Sequence, residues 1–152
     1  MESRRLVAIL GTLTVTAVVA LAACGKPSTS SSPPTTTTTS TTAAGVSLSR
    51  NVQPIFDANC VICHTGTNGP AGLSLDKGSS YTNLVNVNST EAPALKRVAP
   101  ASPDKSYLIA KLSGTQGQVG GTGAQMPFGA SPLPQAQINV IQQWIAQGAP
   151  NN

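Results

Sequence analysis

The sequence predicts a small all-α domain at residues 46–150 of a 152-residue chain. Apolar residues recur at the three- and four-residue spacing of helices in three segments, and runs with the strict alternation of strands are absent or very short. Glycine-rich stretches, notably residues 114–123, predict long irregular loops between these segments. The chain has only two Phe, two Tyr and one Trp, too few large side chains to fill a dense core easily.

The first predicted helix leads directly into residue 60. Its apolar face follows the spacing i, i+3, i+4 at Val52, Ile55 and Phe56. Ser47 or Ser49 is available as its N-cap. Pro54 must lie in the first turn, because a proline deeper in a helix would kink it.

The second predicted helix begins at Ser102, which we expect to act as N-cap, with Pro103 at the first helical position. Gly114 is expected to end it. Its apolar face consists of Leu108, Ile109 and Leu112. A weaker helical turn is predicted over residues 80–85.

The last predicted helix covers residues 134–147, and Gly148 is expected to close it. Its apolar face consists of Ile138, Ile141, Trp144 and Ile145. Helices joined by long loops in so small a domain need a central group to pack against, such as a large cofactor.

Residues 1–23 are typical of a signal peptide, with two arginines before an apolar run from residue 6 to residue 23. The alternative is an uncleaved membrane helix, since about 18 apolar residues could just span a bilayer. A signal peptide predicts export from the cytoplasm.

The apolar run ends in Leu21-Ala22-Ala23-Cys24, which resembles the lipobox of bacterial lipoproteins. Cys24 is therefore the expected lipidation site, and its acyl chains would anchor the protein to a bacterial membrane on the periplasmic side or at the cell surface. Gly25 stands at the position where a lipoprotein retained in the inner membrane would carry a signal such as Asp. Its presence there instead of Asp points to the outer membrane.

Residues 24–45 consist mainly of Ser, Thr, Pro, Ala and Gly after the cysteine. Such a segment cannot bury enough apolar surface to offset the entropy of ordering, so it is expected to be a disordered tether. The formal net charge of +4 is too small to indicate nucleic acid as a partner.

Cys60-Val61-Ile62-Cys63-His64 matches the attachment pattern of c-type haem. Two thiols three residues apart can add to the two vinyl groups of one porphyrin, and the adjacent histidine is then directed at the iron. The pattern predicts one covalently bound haem c per chain, with Cys60 and Cys63 as thioether sites and His64 as the proximal iron ligand.

Two other uses of the motif have less support. A zinc site needs further ligands, but the chain has no other histidine and Cys24 is its only other cysteine. A redox dithiol of the thioredoxin type needs alternating strands and helices, which the sequence does not predict.

The distal iron ligand follows by elimination. His64 is the only histidine, so a second histidine of the same chain is excluded. Met1 would leave with the signal peptide, and Met126 is the other methionine. Met126 precedes a proline, which favours an extended backbone in a loop before the last helix. Met126 is thus the expected distal ligand, although a lone loop methionine is often incidental.

The order of these parts resembles the class I cytochrome c family over residues 47–150. The resemblance rests on the segment before and including Cys60 to His64, on Met126-Pro127-Phe128-Gly129, and on the last helix with Gly148-Ala149-Pro150. It implies a helical domain wrapped around the haem, in which Trp144 and Ile141 pack near the haem and the terminal helices touch through Phe56 and Ile145.

The expected function is the transfer of single electrons between redox protein partners outside the cytoplasm, without catalysis. A haem enzyme would need an open iron position, whereas Met126 is available to fill it. A gas sensor would need an output domain, for which no residues are left. The alternative is a fixed haem-bearing subunit of a larger membrane-associated redox complex. Arg97 is expected either to bind a haem propionate or to be exposed to solvent.

Overall fold

A computed structural model describes residues 45–152, and all regular elements in that range are helical. The α-helices are α1 (Gln53–Asn59), α2 (Ser80–Leu84), α3 (Tyr107–Ser113) and α4 (Gln135–Ala146). A π-helical turn, Leu48–Val52, leads into α1. Three short 3₁₀ turns lie at Pro70–Gly72, Pro103–Lys105 and Gln116–Val119.

Residues 45–152 contain no β-strand, and the only bridges described there are isolated pairs. The described part of the chain therefore has an all-α fold. It contains no helix with the length and apolar character needed to cross a bilayer. The predicted signal peptide, the lipidation site Cys24 and the predicted tether up to residue 44 lie outside the described residues.

Ser47, one of the two predicted N-caps, caps the π-helical turn that leads into α1. Ser47 has extended backbone angles, and its hydroxyl accepts a hydrogen bond from the Arg50 N–H at 3.4 Å. The chain then forms a π-helical turn, in which the Val52 N–H reaches the Ser47 carbonyl at 3.3 Å. Pro54 lies in the first turn of α1 as expected, directly after the π-helical turn.

The predicted start of the second helix is wrong. Ser102 and Pro103 begin only a 3₁₀ turn, Ser102 makes no side-chain cap, and α3 begins at Tyr107. The reason is a tertiary contact: the Tyr107 N–H donates to the Lys96 carbonyl at 2.9 Å, next to the bridge between Lys96 and Ser106. The end is confirmed, since Gly114 takes left-handed angles (φ 72°) and caps α3.

The last helix closely matches its prediction. α4 buries the predicted face, and its Trp144 is fully buried, with the indole N–H donating to the Pro150 carbonyl at 2.9 Å. α4 packs against α3 and against the π-helical turn before α1. Phe56 and Ile145 belong to one hydrophobic core together with Trp144 and Ile141. This core supports the segments that carry the predicted site.

Candidate cofactor site

Cys60, Cys63 and His64 lie on one tight turn directly after α1. The Cys60 N–H donates to the Phe56 carbonyl at 2.8 Å, so the helical hydrogen-bond pattern runs into the turn. The N–H groups of Cys63 and His64 both donate to the Cys60 carbonyl, at 3.1 and 2.9 Å. Both thiols are free; Cys60 is half-buried and Cys63 is exposed. The spacing of the motif thus places Cys60, Cys63 and His64 on a single hydrogen-bonded turn.

This turn lines a cavity of about 400 Å³. Met126 reaches the same cavity from the loop before α4, so the structure brings together Cys60, Cys63, His64 and Met126. The remaining wall is largely aliphatic, and includes Leu73, Leu75, Leu84, Leu108 and Leu112. An apolar cavity with a few convergent polar groups, in the size range of about 300–1,000 Å³, is typical of small-molecule and cofactor sites.

The His64 side chain has an unmet requirement. Its Nδ1 atom is buried and has no hydrogen-bond partner within the described part of the chain. A buried polar atom without a partner carries a desolvation penalty, so native proteins nearly always satisfy such atoms. Residues 45–152 therefore leave one imidazole nitrogen of His64 unsatisfied. It lines an apolar cavity beside two thiols, which fits a residue that binds a further group there.

The backbone behind His64 is held between two elements. The His64 carbonyl accepts the Leu75 N–H at 2.8 Å. The Leu75 carbonyl in turn accepts the Gln53 amide at 2.8 Å, and the Gln53 Oε1 accepts the Ser80 hydroxyl at 2.7 Å. Buried Gln53 thus connects α1, the segment after His64 and α2. This arrangement limits movement of the imidazole's backbone.

The loop after His64 is closed by the carboxylate of Asp76. Oδ1 accepts the Thr65 hydroxyl at 2.8 Å, and Oδ2 accepts the Gly66 N–H at 2.7 Å and the Ser74 hydroxyl at 2.9 Å. These hydrogen bonds, that from the Gly66 backbone foremost, hold the pKa of Asp76 below its ordinary value. The charged carboxylate therefore stabilises the return of the chain toward the cavity.

Arg97 is buried, with 9% of its surface exposed, so the expectation of a solvent-exposed arginine is wrong. Its guanidinium lines the cavity and donates to the backbone carbonyls of Ala71 (2.6 Å), Gly72 (3.3 Å) and Asn83 (2.9 Å). Burial lowers the pKa of Arg97. Among residues 45–152 no carboxylate lies within 4.0 Å of it, so the cavity wall contains a cation that the described chain does not neutralise.

A second polar group lies in the wall beside α3. The Lys111 ammonium lies 2.7 Å from Glu91 Oε2, and the Tyr107 hydroxyl donates to the same oxygen at 3.0 Å. Lys111 also donates to the Thr122 carbonyl at 2.7 Å. Burial and the nearby Glu91 carboxylate raise the pKa of Tyr107. The cluster joins α3 to two loops, and its three side chains line the cavity.

The two other uses of the cysteine motif find no support in the structure. Burial raises the pKa of Cys60 to about 11, so its thiol is neutral at ordinary pH, whereas reactive dithiols depend on a lowered pKa. Residues 45–152 contain no group of three or more His, Cys, Asp or Glu side chains that could hold a metal ion. A four-ligand zinc site is therefore not formed there.

Sequence reasoning missed the polar cluster, although one signal was present. Tyr107 and Lys111 are four residues apart, and Lys111 falls within the apolar face that Leu108 and Leu112 define. A lysine in such a position indicates a buried or half-buried ammonium that needs a partner. No comparable signal identified Glu91, because its contact depends on a fold that joins distant segments.

The residues that resemblance placed near the cofactor lie in the adjoining core. Trp144 and Ile141 are buried in the same hydrophobic cluster as Leu84 and Leu112, which line the cavity. Neither Trp144 nor Ile141 is itself among the described cavity-lining residues.

No protein-family model matches this chain. No curated protein matches it either. Among solved structures, hydrazine synthase of Kuenenia stuttgartiensis is similar to part of the chain, with a TM-score of 0.47 and 24% sequence identity. The match covers 68% of this chain and 16% of that one, so the chain spans a small fraction of its length.

Proposed function

We propose that this chain is a mono-haem c-type cytochrome that transfers single electrons outside the cytoplasm while tethered to a membrane. The observation that carries the proposal is the convergence of Cys60, Cys63, His64 and Met126 on one apolar cavity. These are the thioether sites and the iron ligands that the sequence predicts. Met126 comes from a segment more than 60 residues away in the chain, so its presence in the same wall depends on the fold.

Each residue of the site has a defined part in the proposal. The thiols of Cys60 and Cys63 would hold the haem through thioether bonds to its two vinyl groups. His64 and Met126 would supply a nitrogen and a thioether sulfur to the iron, the ligand pair typical of cytochromes with raised potentials. When bound, the haem iron would exchange one electron between its ferric and ferrous states.

The chain's own contribution is to bind, enclose and orient the cofactor. The cavity wall is largely aliphatic, and the hydrogen bond from the Leu75 N–H to the His64 carbonyl holds the backbone of His64 in place. The buried cation of Arg97 complements the carboxylates that haem carries. Such a cation also disfavours the more positive ferric state, which raises the reduction potential.

The proposal is tested by producing the protein in a host that attaches haem to exported cytochromes. Pyridine haemochrome spectra should show one c-type haem per chain, which Cys60→Ala combined with Cys63→Ala abolishes. Met126→Ala should remove the red-end absorption band of the oxidised protein that arises from methionine–iron charge transfer. Absence of covalent haem from the wild-type protein would refute the function.

Membrane anchoring is proposed from the sequence of residues 1–24 and is tested separately. Cys24→Ala should release the haem protein into the soluble fraction and abolish labelling by radioactive palmitate. A Cys24→Ala protein that remains with the membrane would instead favour an uncleaved helix.

A fixed subunit of a larger redox complex is the second candidate function. It is favoured by two exposed apolar side chains that line the cavity, Ile62 (88% exposed) and Phe128 (77% exposed). Size-exclusion chromatography after gentle detergent extraction distinguishes the two candidates. A mobile carrier elutes as a small protein, and a fixed subunit elutes together with its partners as a larger complex.

A further inference from the structure

The loop that carries Met126 is fastened to the end of α3. The Met126 N–H donates to the Lys111 carbonyl at 3.1 Å, and the Gln125 side-chain amide donates to the Leu112 carbonyl at 2.7 Å. Both acceptors lie in the last turn of α3, which ends at Ser113. The last carbonyls of a helix have no partner inside the helix, so they are available to a neighbouring segment. Here that segment is the one that contains the expected distal ligand.

Gln125 makes the more specific of these two contacts, because Met126 uses only its backbone. Gly114 leaves space for the Gln125 side chain, since a Cβ at position 114 would lie 2.8 Å from Gln125 Oε1. The Gln125 amide therefore lies directly over the C-terminus of α3. This position fixes the residue that immediately precedes Met126.

The glycine-rich loop that precedes Gln125 is also held by side-chain hydrogen bonds to its backbone carbonyls. The Lys111 ammonium donates to the Thr122 carbonyl at 2.7 Å, and the Gln116 amide donates to the Gly123 carbonyl at 2.9 Å. Glycine-rich segments lose much conformational freedom on ordering, so a loop of this composition depends on such contacts to hold one shape. Gln125 is the last of these anchors before Met126.

We infer that Gln125 is a positioning residue for the distal ligand: its hydrogen bond to α3 holds the Met126 backbone where the thioether reaches the cavity. The inference rests on the proposed function, because it assigns the role of Gln125 relative to the haem iron. It predicts that loss of this hydrogen bond weakens methionine ligation and leaves covalent haem attachment intact.

The test uses the haem-loaded protein and exogenous imidazole, which competes with methionine for ferric iron. Gln125→Ala and Gln125→Glu both remove the amide donor, and the glutamate variant preserves the side chain's size. Each should raise the apparent affinity for imidazole about two- to tenfold, the factor that corresponds to one net hydrogen bond. The methionine–iron absorption band should weaken in parallel.

Ser47→Ala provides the matched control. Ser47 is also a polar side chain that donates to a backbone carbonyl, at 2.8 Å from the Asn152 carbonyl oxygen, but it is buried at the start of the domain and does not line the cavity. This variant should lower thermal stability and leave imidazole affinity unchanged. An equal rise in affinity for Ser47→Ala and Gln125→Ala would show a general loosening and overturn the inference.

Two further outcomes separate this inference from the proposed function. Wild-type imidazole affinity in both Gln125 variants, with a large rise in Met126→Ala, would overturn the positioning role and leave methionine ligation in place. An unchanged affinity in Met126→Ala would show that Met126 is not the distal ligand, and the positioning role would fail with it. A wild-type protein without covalent haem would refute the function itself.

Discussion

The ammonium of Lys111 lies 2.7 Å from the carboxylate of Glu91, and both side chains line the cavity that contains His64 and Met126. Lys111 has 9% of its side chain exposed and Glu91 has 29%, so water screens the pair only in part. The pair connects α3 to the loop around residue 91, and Lys111 also holds the Thr122 carbonyl. One ionic contact thus stabilises two walls of the site.

Glu91→Gln should lower the free energy of unfolding by about 1–3 kcal/mol, because the buried ammonium of Lys111 loses its counterion. Chemical denaturation followed by circular dichroism measures this loss. Adding Lys111→Met to Glu91→Gln should recover part of it, since no unpaired charge then remains. The exposed carboxylate of Asp104 gives the control, as Asp104→Asn should change stability little. Equal stability of Glu91→Gln and the wild type would contradict the role of the pair.

Asp76 should contribute a pH-dependent part of the stability. Its hydrogen bonds favour the carboxylate, so its pKa is lower in the folded chain than in the unfolded chain, where it is about 3.9. The contribution is present above the unfolded pKa and is lost as the pH falls through the folded pKa. Melting curves recorded from pH 3 to pH 7 test this. Above pH 4, Asp76→Asn should have a lower melting temperature than the wild type, and the difference between the two melting temperatures should become smaller toward pH 3. A constant difference across this range would contradict the prediction.

The elements predicted best from the sequence are those whose signals lie within the element. The apolar face and the closing glycine of α4 are both local, and the structure confirms them. The start of α3 was mispredicted because Ser102-Pro103 is a strong local capping signal. A tertiary bridge between Lys96 and Ser106 overrides that signal and delays the helix to Tyr107.

The same distinction holds for the site. The cysteine motif is local, and Met126 followed from a count of methionines and histidines in the whole chain. The environment of these residues depends on contacts between distant segments, such as Arg97 with Ala71 and Lys111 with Glu91. Periodicity and composition do not report which segments meet, so these contacts could not be predicted.

Two replacements of Arg97 should separate the contribution of its hydrogen bonds from the contribution of its charge. Arg97→Met leaves the carbonyls of Ala71, Gly72 and Asn83 without a donor, and should lower the unfolding free energy by about 2–4 kcal/mol. Arg97→Lys keeps the charge but offers a single donor centre, so the stability of this variant should lie between those of Arg97→Met and the wild type. Chemical denaturation measures both.

The reduction potential gives a second measurement on the same variants. Loss of a buried cation stabilises the ferric state, so Arg97→Met should lower the potential of the haem-loaded protein, while Arg97→Lys should change it less. Lys77 is an exposed cation, and Lys77→Met serves as the control with a small effect on stability and potential. A potential that is the same in Arg97→Met and wild type would show that the cation does not act on the cofactor.

Two glycines with nearly identical backbones allow the contact between Gly114 and Gln125 to be measured apart from backbone strain. Gly114 has φ +72° and Gly120 has φ +76°, so alanine at either position pays a similar cost for left-handed angles, about 1–2 kcal/mol. A Cβ at position 120 meets nothing within 4 Å, whereas one at position 114 lies 2.8 Å from Gln125 Oε1. Gly114→Ala should therefore destabilise the protein more than Gly120→Ala and, alone of the two, weaken the methionine–iron absorption band. Equal effects of the two substitutions on stability and spectrum would mean that the Gln125 side chain moves aside freely, and that its contact with α3 does not constrain Met126.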